Sequence, residues 1–214
     1  SCKCHKHTSW VGQMKKFLTL LFFIMFTIPL FSEFRTPVMD SLLTYDEYID
    51  TLEIEFTQKN YFDDTKLSEN KGKLYMDKQR NLIRLDSYNL FDEIDQYVIT
   101  NGKVIKVYDK ENKLITKTKW KDWYEAQTNK FLFDFGSYEK VIEDFNLVEH
   151  SDYELKFVNK VYKDQKVEFE LTKKYFPKEI KVINEDITNI IILTDTKLNE
   201  TIEKEVFKQY DTIK

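Results

Sequence analysis

Cysteine, histidine, glycine and proline are all scarce in this chain of 214 residues, and each scarcity removes a class of function. The two cysteines, Cys2 and Cys4, sit at the extreme N-terminus, so no disulfide framework staples the fold and the core must carry it. Past residue 13, His150 is the one histidine. A zinc site would have to be built from carboxylates around a single imidazole, and a Ser-His-Asp triad would depend on His150 without a Gly-x-Ser-x-Gly turn to present the serine. Of four glycines, only Gly72, Gly102 and Gly136 lie beyond residue 32, too few and too dispersed for a phosphate-cradling loop. Carboxylate neighbours such as Asp63-Asp64 and Glu143-Asp144 remain as conceivable acid–base pairs, but adjacent acids in charged loops are ordinarily solvated. The reading is therefore a protein that is not an enzyme, with no metal and no cofactor.

The N-terminus has its own pattern. Cys2, Cys4, His5 and His7 imitate a metal-ligand cluster. Behind them, Met14-Lys15-Lys16 opens onto the apolar run from Phe17 to Ile28, which Pro29 breaks. A short basic start followed by such a run reads as a secretory signal peptide. The run falls short of the about 20 residues that span a bilayer comfortably. Residues 1–13 then read as a mis-called upstream extension, residues 14–32 as a signal peptide cleaved after Ser32, and residues 33–214 as a single domain. An uncleaved anchor is the alternative. No cysteine follows the run, so the chain is not expected to be lipidated itself. Residues 1–32 hold four lysines and no acid, so their removal takes the formal net charge from −4 to −8. That sign opposes binding to nucleic acid or to an anionic membrane surface.

What is abundant is alternation. Leu52-Glu53-Ile54-Glu55-Phe56-Thr57, Gly72-Lys73-Leu74-Tyr75-Met76, Lys166-Val167-Glu168-Phe169-Glu170-Leu171 and Glu179-Ile180-Lys181-Val182 all repeat with period two. About ten such segments between Leu52 and Leu198 predict a long antiparallel sheet with one apolar and one wet face. Thr36-Pro37 opens a helix with an apolar stripe through Val38, Leu42, Leu43 and Tyr45, expected to end near Asp50. Asn101-Gly102 predicts a type I′ hairpin turn. Trp120 to Tyr138 is rich in aromatic rings and is expected to be helical around Asp122 to Leu132. Inward-facing candidates on the strands are Leu52, Ile54 and Phe56, then Leu74 and Met76, Ile83 and Leu85, Tyr97 and Ile99, and Phe169. Two short helices cannot fill the concave face of so large a sheet, and partly closed sheets of this size often hold a ligand.

The order of elements resembles the LolA family of periplasmic lipoprotein carriers. The residues carrying the resemblance are Phe56-Thr57-Gln58-Lys59, Gly72-Lys73-Leu74-Tyr75, Ile99-Thr100-Asn101-Gly102-Lys103, Tyr108-Asp109, Phe176-Pro177-Lys178-Glu179-Ile180 and Phe207, spread over Val38 to Phe207. The resemblance implies a mainly β fold with two or three helices: an unclosed antiparallel β-barrel covered by a helical lid. It implies a monomeric periplasmic shuttle that binds the acyl chains of lipoproteins along the inward residues named above. The implied partners are an inner-membrane lipoprotein-releasing ABC transporter and an outer-membrane lipoprotein acceptor, with no nucleic acid. It also implies a lid-holding arginine after the second strand. The family's Arg-Pro pair is absent from Asp77-Lys78-Gln79-Arg80-Asn81-Leu82, which leaves Arg80, then Arg84, as candidates. The competing reading is a lipid- or lipoprotein-sensing module of the cell envelope with the same fold. Such a sensor is expected to carry a further partner-binding domain, for which the sequence offers no second zone of composition.

Overall fold

The computed structural model describes residues 35–127 and 130–208. The upstream extension and signal peptide expected at residues 1–32 lie outside them. Helix α1 (Pro37–Glu47) starts the described fold. Thr36 caps it through Oγ1, which accepts from the Met39 N–H at 3.3 Å, and Pro37 occupies the first turn, where its missing N–H costs nothing. Eleven strands follow. They are β1 (Thr51–Phe62), β2 (Thr65–Asp77), β3 (Leu82–Tyr88), β4 (Ile94–Thr100), β5 (Val104–Asp109), β6 (Leu114–Lys119), β7 (Phe145–His150), β8 (Glu154–Asn159), β9 (Gln165–Leu171), β10 (Pro177–Asn184) and β11 (Ile187–Leu198). Between β6 and β7 come α2 (Trp120–Glu125), a 3₁₀ turn (Lys130–Leu132) and α3 (Tyr138–Ile142). A second 3₁₀ turn spans Lys204–Phe207.

All eleven strands form one antiparallel sheet in the order β6-β5-β4-β3-β2-β1-β11-β10-β9-β8-β7. Two meanders, β1–β6 and β7–β11, are joined in the middle by β1 pairing with β11, from Leu52 opposite Leu198 to Phe62 opposite Ile187. β6 and β7 are the outer edges, so the barrel is not closed. Among the described residues no helix is long and apolar enough to cross a membrane.

The register explains which residues are inside. Ile54, Leu74, Leu85, Val98 and Val107 stand directly opposite one another across five strands, and residues so paired share a face. Leu52, Met76, Ile83, Thr100 and Ile105 make the next row. On the other meander, Ile191, Ile180, Phe169 and Leu155 continue the same face. Leu52, Ile54, Leu74, Leu155 and Ile180 are fully buried. β10 begins at Pro177, where an absent N–H is tolerated.

Two local expectations are corrected. The hairpin at Asn101-Gly102 is not type I′, because Gly102 has φ of +78° while Asn101 is not in the left-handed region. Instead the Asn101 side chain accepts from the N–H groups of Lys103 and Val104, both at 3.1 Å, and this Asx-type turn replaces the mirror-image one. The helix expected over Asp122 to Leu132 is two pieces, α2 and the 3₁₀ turn at Lys130–Leu132.

Gly72 is an inward position that must lack a side chain. It lies opposite Phe56, and a Cβ there would collide with the Phe56 ring and come within 2.8 Å of the Asp86 carbonyl oxygen. The ring can turn away but the carbonyl belongs to the β2–β3 ladder. Gly72→Ala is expected to destabilise the fold by about 1–3 kcal/mol through this overpacking. A urea unfolding midpoint unchanged from wild type would refute that.

Candidate functional site

The apolar face of an open sheet must be covered, and here one stretch of chain covers most of it. The segment from Trp120 to Ile142 runs from the β6 edge to the β7 edge across the concave face. Its rings fill the interior. Phe131 packs edge-on against Phe169 at 5.8 Å between centroids, and Tyr138 against the same ring at 5.4 Å. Phe135 stacks on Phe176 at 5.4 Å, and Phe133 sits against Trp120 and Trp123 at 5.7 and 5.3 Å. Phe131, Leu132, Phe133, Phe135 and Tyr138 are all buried. α1 adds Val38, Met39, Leu42 and Leu43 from above β8. The aromatic segment is thus the filling of the barrel as well as its cover.

Polar contacts fasten this lid. Asp46, at the end of α1, accepts from the N–H groups of Gly136 at 2.6 Å and Tyr138 at 2.9 Å. Tyr124 donates its hydroxyl to Asp134 at 2.7 Å, and Tyr138 donates to the Phe131 carbonyl at 3.1 Å. Lys78, in the turn after β2, donates Nζ to the Glu47 carbonyl at 3.5 Å and lays its stem against Gly136, whose φ of +79° suits glycine. Burial pushes the carboxyls of Asp46 and Asp134 up to about 6, against the hydrogen bonds from Gly136 and Tyr138 to the first and from Tyr124 to the second.

The ten inward candidates are placed as follows. Leu52, Ile54, Phe56, Leu74, Met76, Leu85 and Phe169 are buried on the concave face, and Ile83 is half-buried there. Tyr97 and Ile99 are not on it. Tyr97 stands opposite Asp86 and Ile99 opposite Arg84, which puts both on the convex face. Val98 takes the inward place in that strand. Tyr97 stacks on Tyr108 at 4.7 Å under the Arg84 guanidinium, and the C-terminal segment packs beside it on β3, where Ile202 and Phe207 are buried.

The two arginines expected to hold the lid hold a different segment. Arg80 donates to the Ile202 carbonyl at 3.1 Å and lies over the Phe207 ring at 5.0 Å, while its Nε pairs with Asp77 at 2.6 Å. Arg84 donates to the Val206 carbonyl at 2.8 Å, lies over Tyr97 at 5.0 Å and pairs with Asp86 at 2.6 Å. Both arginines hold the C-terminal segment on the convex face, not the lid on the concave one. The side chain after β2 that reaches the lid helix is Lys78, and its carboxylate counterpart is Asp46. Neither had a signal in the sequence, since lysine and aspartate beside a turn read as solvated surface. Among the described residues no group of three His, Cys, Asp or Glu side chains comes together to hold a metal.

Fold and site together define a lidded, open β-barrel with an apolar interior. The chain belongs to the family of the outer membrane lipoprotein carrier protein LolA, whose family model matches residues 47–210. Among solved structures, a DUF1329 family protein from Desulfovibrio piger is 9% identical and aligns with a TM-score of 0.50 over 80% of this chain and 97% of its own. A LolA superfamily protein from Nitrosomonas europaea is 10% identical, with a TM-score of 0.49 over 81% of this chain and 98% of its own. An uncharacterised conserved protein from Thermus thermophilus is also 10% identical, with a TM-score of 0.48 over 80% of this chain and 91% of its own. At 9% identity the likeness to the Desulfovibrio piger protein is one of fold. None of the curated proteins matches the sequence.

The latch carboxyls have a pH signature. In the fold they take up their protons near pH 6, and in the unfolded chain near the ordinary 3.8. Between those values the folded chain binds more protons, so this contribution to stability falls as pH rises from about 4 to about 6. Each carboxyl is expected to contribute up to about 3 kcal/mol of that change. Unfolding free energies from pH 4 to 7 check this, because Asp46→Asn with Asp134→Asn should flatten the slope. A slope identical to wild type would remove the latch from the explanation. On the convex face, Arg84→Ala leaves the buried Asp86 carboxylate without its guanidinium, an expected loss of about 3 kcal/mol. It should also speed tryptic cleavage at Lys204, and unchanged cleavage would mean the strap is held by other contacts.

Proposed function

We propose that this protein is a periplasmic carrier of acylated lipoproteins. It takes their acyl chains into the barrel interior by displacing the lid aromatics, and moves them from the inner to the outer membrane. The observation that carries this reading is that the concave face is closed by a segment outside the sheet's own ladder. The lid joins the two sheet edges, so it can lift without breaking a strand pair. The carrier catalyses no reaction and needs no cofactor; its partners are a lipoprotein-releasing ABC transporter at one membrane and an acceptor at the other. Membership of the lipoprotein carrier family supports the cargo class.

The energetics permit exchange in both directions. Exposing Phe131, Phe133, Phe135 and Tyr138 costs about 8 kcal/mol, at about 2 kcal/mol for each ring. An acyl chain returns about 0.8 kcal/mol for each buried methylene, so about ten methylenes offset the opened lid. A second chain supplies the net affinity. Release then needs only an acceptor that holds the chains better, since a ligand shifts an equilibrium by its differential affinity alone.

The test is native mass spectrometry and fluorescence titration of residues 33–214 with a synthetic diacylated peptide. Uptake of one peptide per chain is expected. Phe131→Ala with Phe133→Ala, which removes part of the internal competitor, should bind it more tightly, by up to about a thousandfold at about 2 kcal/mol for each ring. No uptake by the folded protein, or weaker binding by the lid variant, would overturn the carrier reading.

A further inference from the structure

The concave face changes character along its strands. Above the apolar rows, β1 continues inward with Gln58 and Asn60. Asn60 stands opposite Asn189 on β11 and Ser68 on β2. The Asn60 carboxamide oxygen accepts from Gln58 at 3.2 Å and from Asn189 at 2.9 Å, and its NH₂ donates to Ser68 at 2.8 Å. Gln58 and Asn189 are buried, at 9% and 2% exposure, so these amides belong to the interior. Next along the same end, Asn184 stands opposite both Ile187 and Gln165, and Asn159 donates to the Gln165 oxygen at 2.8 Å. Between these strands and the lid lies a cavity of about 270 Å³, lined by Gln165, Asn184, Asn189, Val182, Ile187 and the lid's Phe131, with Glu125 and Lys130 on the lid side.

We propose that this carboxamide end is a second subsite of the carrier cavity, which binds the uncharged ester and amide groups at the head of an acylated ligand. The proposal rests on the carrier reading and specifies the chemistry of the cargo's head. About 270 Å³ is below the about 300 Å³ at which pockets for whole drug-sized ligands begin. It therefore fits a head group whose chains run on into the apolar rows. Carboxamides donate to ester and amide carbonyls and carry no charge. The Gln165 oxygen is engaged by Asn159, which leaves its NH₂ for a ligand. The strand side of the cavity carries no cation. On the lid side the lysine Lys130 is matched by the acid Glu125, so the lining carries no net positive charge to hold a phosphate. The site thus selects neutral acyl esters over anionic phospholipids of equal chain length.

A double-difference titration tests this. The ligands are a diacylglyceryl peptide, its dialkyl ether analogue lacking the ester carbonyls, and a phosphatidylglycerol with the same chains. The wild-type chain is expected to prefer the diester over the diether by about tenfold, the size of one or two hydrogen bonds. It should bind the phospholipid at least as weakly as the diether. In Gln165→Leu with Asn184→Leu the ester preference should vanish while diether affinity stays within about twofold. The near-isosteric Gln165→Glu with Asn184→Asp should weaken the diester selectively, which keeps the test open if the leucine pair misfolds. Equal affinity for diester and diether in wild type, or a preference that survives both variants, would overturn the subsite and leave the carrier standing. Failure of every ligand to bind the folded wild-type chain would overturn both.

Discussion

An open antiparallel sheet of this size has an apolar concave face that water must not reach, and the rest of the structure follows from how that face is covered. Neither meander can fold back on the other, because β1 and β11 hold them side by side as one surface. α1 covers one part. The remainder falls to the link between the two edge strands, which explains the concentration of rings there. A loop of solvated residues could have joined β6 to β7, but it would have left Phe169, Phe176 and Phe145 facing water. The aromatic link meets each of them ring to ring instead.

The fastening is weaker in kind than the filling. Apolar burial is unspecific and would hold the lid in many poses, whereas hydrogen bonds from Gly136 and Tyr138 to Asp46, and from Tyr124 to Asp134, select one. That selection uses carboxyls in a place that disfavours their charge, since burial is the leading influence on both. A lid fixed by carboxylates that would rather be in water is specific and also displaceable. In the proposed carrier these two properties are needed together, because a lid held only by ring packing would either slip or never yield.

Most of the sheet was legible because half-buried strands advertise themselves. Leu52, Ile54 and Phe56 alternate with glutamate and threonine, and only one register puts them inside. The misplacement of Tyr97 and Ile99 has the same origin read in reverse. In β4 the consecutive residues Tyr97, Val98, Ile99 and Thr100 are all buried, because the lid side and the C-terminal strap cover both faces. A strand covered on both sides loses its alternation, and the inward phase cannot be read from it. The helix at Pro37 was signalled by its cap and stripe. The lid contacts of Lys78 and Asp46 were not, since their roles arise from distant segments meeting: Asp46 bonds to residues ninety positions away. Which carbonyls the arginines meet depends on where the C-terminal segment returns, and the strand pattern does not encode that.

The pairing of β1 with β11 also sets an order of events. On its β2 side Leu52 meets Met76 at once, but on its other side its partner is Leu198, near the far end of the described chain. A polypeptide that emerges N-terminus first can zip β1 to β6 by local hairpins, yet the middle of the sheet stays an open edge until the last strand arrives. Such long-range closure is slow, and the open edge of β1 is a template for wrong partners while it waits. The sheet is therefore completed only after β11 is free, and its most exposed moment is just before that strand docks.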